Sequence, residues 1–387
     1  MTPKERVRIA LTGGKPDRVP FVPAVDYDYM ALAAGREPWE FTHLGPEAQA
    51  QIHEGFFRRH PCDVWPCWGA PSPRGREHRE IVRDGDRVYY HDHRTGRRYR
   101  IDRRGELRDE AGNTVILGPD GEEVDPKAAA IWVARDGYPR PVESIADMEE
   151  FVGGWDEEGY FANLEYLQPR YGDRHFLCFC TNTIFAEALD LFGGFQEGLI
   201  ALHTKRALFH QALEAITARR RQRLVRGAAL GADGAWMIEY CAGGDTISRA
   251  AYQEFVLPYE QAVAREAHRL GLLVYLWYLG DLMPLLPDLA RLEVDGLFPE
   301  QGRKGYEVDL GEVRRQVGDR MCLIGFNQEE HLIAGDRRRL REGLERQIGA
   351  AGRNGALMMG TTYVIEDTPL EHLDFYIDTL HHVGRYD

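Results

Sequence analysis

The sequence lacks any apolar run long enough to cross a bilayer, because polar or charged residues interrupt every stretch well short of about 18 positions. Its opening, Met1-Thr-Pro-Lys-Glu-Arg-Val-Arg8, lacks the apolar centre of a secretory signal, so cytoplasmic residence is the expectation. Cysteine is scarce: six in 387 residues, none at Cys-x-x-Cys spacing. That excludes a disulfide framework and the commonest zinc and redox motifs. Cys178 and Cys180 alternate along one strand candidate and read as buried thiols. Positive charge is also in deficit, with 48 Lys and Arg against 62 Asp and Glu and a net charge of −14. A sequence-independent nucleic-acid binder needs a basic face, and adhesion to an anionic membrane needs the same, so neither partner is expected.

Hydrophobic residues supply 43% of the chain, the ordinary share for a soluble globular fold. The stretch Leu272-Leu-Val-Tyr-Leu-Trp-Tyr-Leu-Gly280-Asp281 shows how they are used. It is a continuous apolar run between two helical patterns, Pro258 to Leu270 and Leu282 to Leu292. Such a run suits a parallel strand covered on both faces. Seven further candidates repeat the pattern, at Asp17–Val25, Cys62–Trp68, Phe176–Cys180, Ala235–Ile238, Gly296–Phe298, Cys322–Ile324 and Ala356–Met359. Alternating strand and helix implies a parallel sheet. Eight units, with no Gly-x-Gly-x-x-Gly turn after the first, favour an α/β fold of the (β/α)8 TIM-barrel class.

Between the second and third candidates, about 71–134, the texture becomes β-rich. A hairpin turning at Arg94-Thr-Gly96 is expected, with further strands at Asn113–Leu117 and Ala130–Val133. The whole chain, 1–387, then reads as one barrel domain with a β-rich insertion at 71–134 after the second barrel strand. His91 and His93 share one face of the hairpin, a spacing that metals can use. No third ligand is evident from spacing, so no metal site is expected.

Chemistry on a barrel is expected at the C-terminal strand tips. Glu239, Asp281 and Glu300 end three successive strands and are the candidate catalytic carboxylates, able to divide acid and base roles. Asp26, Trp68, Tyr240, Trp277, Tyr278, Asn327 and Tyr363 are the candidate substrate-binding residues. An aromatic and acidic cavity suits a flat organic ligand, or a cation held against ring faces. The competing reading is that each carboxylate caps the following helix or pairs with an arginine.

Several segments together resemble the uroporphyrinogen decarboxylase superfamily. They are Thr2-Pro-Lys-Glu-Arg-Val7, Pro16-Asp-Arg-Val-Pro20, Gly231-Ala-Asp-Gly234, Ala242-Gly243, Ile247-Ser-Arg-Ala-Ala-Tyr-Gln-Glu-Phe255 with Pro258-Tyr259, Gly318–Gly325 and Asp367-Thr-Pro-Leu-Glu371. The resemblance implies the barrel and two known chemistries: decarboxylation of uroporphyrinogen, and zinc-dependent methyl transfer between corrinoid proteins and thiols. Neither site carries over. Where the decarboxylases hold substrate carboxylates with arginines, this chain reads Phe21-Val-Pro-Ala-Val-Asp-Tyr-Asp-Tyr-Met30. Where the methyltransferases place His-x-Cys-Gly it has Trp277-Tyr-Leu-Gly280, and Thr362 matches their late Cys. The family zinc is therefore expected to be absent.

The expectation is an enzyme acting on a small organic molecule, leaning to one-carbon (methyl) transfer, with room for a corrinoid or folate methyl carrier, a corrinoid protein partner and a homodimer. The alternatives are a decarboxylase or other carbon–carbon lyase on a non-porphyrin substrate, and a non-catalytic barrel that only binds its ligand or a corrinoid protein.

Overall fold

A computed structural model describes residues 1–69, 77–117, 123–124, 141–147, 159–300 and 305–386. Two strands come first, β1 (Phe21–Val22) and β2 (Val64–Cys67). Six short strands then pair antiparallel in chain order: β3 (Arg79–Asp84), β4 (Arg87–Asp92), β5 (Arg98–Ile101), β6 (Leu107–Arg108), β7 (Thr114–Leu117) and β8 (Glu123–Val124). The barrel resumes with β9 (Phe176–Cys180), β10 (Gly234–Glu239), β11 (Leu273–Tyr278), β12 (Gly296–Pro299), β13 (Cys322–Gly325) and β14 (Leu357–Gly360). The eight barrel strands lie parallel in the order β1-β14-β13-β12-β11-β10-β9-β2. Asp63, just before β2, draws the two end strands together. Its N–H donates to the Phe21 carbonyl at 3.0 Å, and its carboxylate accepts from the Phe21 N–H at 2.8 Å. The fold is the expected TIM barrel with its β-rich insertion after the second barrel strand.

Alternation along the strands builds two cores. Phe176, Cys178, Cys180, Trp236, Tyr275, Trp277, Phe298, Cys322, Ile324 and Met358 fill the barrel interior. Their neighbours Leu177, Phe179, Ala235, Met237, Leu276, Tyr278, Leu297 and Leu323 face the surrounding helices. The helix Pro3–Leu11 closes the N-terminal end of the barrel. Thr2 caps it through the Glu5 N–H at 3.2 Å, and Val7, Ala10 and Leu11 enter the interior core. A Cβ on Gly296 would stand 3.0 Å from both Leu11 Cδ2 and Tyr275 Cβ, so the smallest residue lets the plug seat.

The insertion stands over the C-terminal end. Tyr90, Tyr99 and Ile101 pack on Trp39 of the helix Pro38–His43, and the His43 ring lies 2.7 Å from the Gly105 carbonyl. Arg104, in the turn between β5 and β6, reaches Glu366 beyond β14 at 2.7 Å. The hairpin at Arg94–Gly96 forms as expected. The strand expected at Ala130–Val133 lies outside the described residues.

Two local expectations are corrected. Asp26 does not end an extended tip but caps the helix Tyr27–Ala33 through the Asp28 N–H at 3.3 Å. The helix expected over Leu282–Leu292 breaks into a 3-10 turn, Met283–Leu285, and a single turn, Leu286–Leu289. Pro284 and Pro287 each remove an amide donor that a longer helix needs.

Candidate active site at the barrel mouth

Trp277 turns into the barrel from β11, where its ring stacks on Phe298 of β12 (centroids 5.6 Å apart, planes at 18°). Tyr363 approaches the same indole from the loop after β14, at 6.2 Å. On the other wall Trp68 meets Trp236 edge-on at 5.0 Å and Tyr27 at 5.6 Å. Glu300 is buried, and its N–H continues the ladder to the Tyr278 carbonyl at 3.0 Å. The period of two then carries its side chain to the inner face, the side of Phe298.

Carboxylates edge this aromatic lining. Burial raises the Asp28 carboxyl to about 6, with Asp26 and Glu366 adding to the rise and Arg104 opposing it. Asp26 is raised for the same leading reason, burial. The Tyr363 hydroxyl is pushed up by burial, then by Asp26, Tyr27 and Asp28, so ring and acids share one neighbourhood. A half-buried carboxyl poised near neutrality can hold or release a proton, and ionised it can face a cation. Tyr27, Glu366 and Arg104 were not read from the sequence as site residues. Arg104 comes from the insertion, whose docking leaves no local signal.

The other residues expected at one shared cavity go elsewhere. Glu239 and Tyr278 lie on the outer face, between strands and helices, because the alternation that turns Trp277 inward turns them out. Glu239 accepts from the Thr183 hydroxyl at 3.1 Å and the Cys241 N–H at 2.7 Å. The Tyr278 hydroxyl donates to the Ala242 carbonyl at 2.8 Å. Asp281 caps the Met283 turn at 3.1 Å, the helix-capping role weighed against catalysis above. Asn327 ties the ends of β13 and β14, accepting from the Thr362 N–H at 2.9 Å while its amide donates to the Gln328 carbonyl at 3.0 Å. Tyr240 stands at the rim, 40% exposed.

Glu239 forms a buried acid pair with Glu260 of the helix Leu257–Arg269. Burial raises Glu239 to about 7, and burial with the Glu239 charge raises Glu260 to about 8. Tyr252 steadies Glu260 with a hydroxyl bond of 2.8 Å. Both carboxyls are raised above the ordinary value of 4.5, so the folded state holds protons that the unfolded chain has lost. Stability contributed by the pair is full below about 4.5 and is lost as pH rises towards 8. Glu260→Gln should therefore flatten the fall in the urea midpoint between pH 5 and pH 8.5. An equally steep fall in this variant and in the parent would refute the pairing.

The donor set where the methyltransferases hold zinc does not suit the metal. Trp277 presents an indole, Leu279 packs as an aliphatic chain against the interior core, and the buried Thr362 hydroxyl is committed to the Asn327 carbonyl. None is a zinc ligand, and no step is routed through a metal there.

Comparison with known proteins agrees with this geometry at the level of fold and family. Over its full length the chain is similar in structure to a methyltransferase from Methanosarcina mazei, with a TM-score of 0.65, 16% identity and 99% of each chain covered. It is 24% identical over 134 residues to a uroporphyrinogen decarboxylase of Trichodesmium erythraeum, and 28% identical over 117 residues to one of Chlorobaculum parvum. These matches span only 36% and 31% of the two relatives and 34% and 30% of this chain. No described helix is long and apolar enough to cross a membrane. The family described as uroporphyrinogen decarboxylase (URO-D) matches residues 183–383, over half of the sequence, and the chain belongs to that family.

Proposed function

We propose that this chain is an enzyme that binds a small organic cation at the mouth of its barrel and takes part in methyl transfer to or from it. The observation that carries the reading is the meeting of ring faces with carboxylates. Trp277, Phe298 and Tyr363 offer quadrupoles, and Asp26, Asp28 and Glu366 offer charge. A methylated ammonium group matches both, because it is positive and its surface is apolar. The carrier of the methyl group, corrinoid or folate, would approach the same mouth. The full-length likeness in fold to a methyltransferase supports this choice of reaction class.

The reading is tested by binding methylated ammonium compounds against neutral isosteres of equal shape. The cation should bind at least tenfold more tightly, and Trp277→Ala should cost the cation about 0.5–2 kcal/mol, up to about thirtyfold in affinity. Equal affinity for cation and isostere would sink the proposal.

A lyase reading is favoured by one observation, the Asp28 carboxyl near 6, which could protonate a carbanion left by a departing carboxylate. Uroporphyrinogen itself is not the substrate on either reading, since Asp26, Asp28 and Glu366 would repel its acidic arms. Purified protein should release no coproporphyrinogen from uroporphyrinogen above the spontaneous rate.

A further inference from the structure

We propose that the insertion carries a divalent-metal site made of Glu80, His91 and His93. The register of β3 with β4 sets Glu80 directly opposite His91, and His93 follows two residues later on the same face. Each side chain offers one ligand atom, and the three atoms lie within 4.8 Å of one another. His93 Nε2 stands 3.7 Å from Glu80 Oε2, and the two imidazole rings are 4.8 Å apart. Tetrahedral zinc with bonds of about 2.0–2.1 Å needs ligand atoms about 3.3 Å apart. Side-chain rotation alone closes that gap, because Glu80 and His93 are exposed and His91 is half-buried. Two imidazoles and a carboxylate select a borderline ion such as Zn²⁺ over Mg²⁺ or Ca²⁺. The fourth position falls to water or to His78, whose carbonyl accepts from the His93 N–H at 2.7 Å.

Arg98 lies across from His91 on β5. It is drawn away from the histidines, with its guanidinium over the Tyr89 ring at 3.7 Å and beside Asp84 at 3.7 Å. The opposite face of the sheet packs Tyr90 on Trp39, so the ligand face is the one left outward. A bound ion would staple β3 to β4, and this site shares no residue with the proposed reaction.

The test uses the untagged full chain, stripped with chelator and titrated with Zn²⁺ by calorimetry and with Co²⁺ by visible absorption. One ion per chain is expected, with the intense absorption of low-coordinate Co²⁺. His91→Ala and His93→Ala should each weaken binding at least tenfold, and Glu80→Gln should do the same while leaving the metal-free melting temperature unchanged. The chain has 14 histidines, so adventitious binding is the rival. The proposal is overturned if the His91→Ala/His93→Ala double variant keeps the parent affinity and spectrum. It is overturned equally if the parent binds no ion more tightly than about 0.1 mM, about 5.5 kcal/mol.

Discussion

Replacing Asp63 with alanine is expected to destabilise the fold by about 3–5 kcal/mol, the cost of removing one partner from a buried ion network. Asp63 is 1% exposed at the seam where β1 meets β2. Its carboxylate takes Arg6 at 2.6 Å, Arg18 at 2.9 and 3.1 Å, and the Phe21 N–H at 2.8 Å. Arg6 also holds Asp17 with two bonds, at 2.6 and 2.8 Å. Alanine leaves a buried guanidinium short of charge and a buried backbone donor without an acceptor. It also frees the helix Pro3–Leu11, whose apolar face plugs the barrel. Urea denaturation measures the loss directly. Glu342→Ala, which breaks the exposed pair with Arg338, should cost under about 1 kcal/mol and serves as the control. A loss at Asp63 no larger than at Glu342 would mean that the seam is held by the strand ladders alone.

The same network explains why the fold was legible and the site less so. Arg6, Asp17 and Arg18 belong to the opening segments that carry the family resemblance. Asp233, from Gly231-Ala-Asp-Gly234, binds Lys4 at 2.8 Å and Arg8 at 2.6 Å. These motifs clamp the N-terminal end of the barrel, so they report scaffold rather than chemistry. At the other end, the residue type at a strand tip does not carry its phase. Neighbouring residues of one strand face opposite ways: Ile238 packs against the interior core, and Glu239, paired with Tyr278 in the ladder, turns to the outer side. Glu260 sits on the buried face of an otherwise amphipathic helix, a signal that was present in the pattern. Glu80 was missed, although a signal for it was present. The two-residue turn at Gly85-Asp86, with Gly85 at φ 60°, suits a type II′ hairpin and fixes Glu80 opposite His91. The reach of Arg104 to Glu366 was not legible, because it depends on how the insertion docks.

The largest functional effect is expected at Asp28, where stability and binding should move in opposite directions. Its carboxyl titrates near 6 in the folded protein against 3.8 ordinarily. Between those values the folded state keeps a proton that the unfolded chain gives up, so stability falls as pH rises through the window and stays lower above it. Asp28 lies in the first turn of the helix Tyr27–Ala33, where the helix dipole favours a negative charge. Desolvation, with Asp26 and Glu366 beside it, outweighs that benefit. An amide in place of this carboxyl carries no charge, so Asp28→Asn should be more stable than the parent at pH 8, and the advantage should vanish by pH 4. Binding of an ammonium compound should change the other way. In the parent it should tighten as pH rises from 5 to 7 and Asp28 ionises, by at most tenfold per unit. In the variant it should be about tenfold to a hundredfold weaker at pH 8, the range of a lost charge-assisted contact of about 1.5–3 kcal/mol, and nearly flat with pH. Urea midpoints and calorimetric titrations at the same pH values give both curves from one preparation. A variant that loses stability at pH 8, or that binds the cation as tightly as the parent does, would remove Asp28 from the site. Function would then explain nothing about why an acid is kept where folding disfavours its charge.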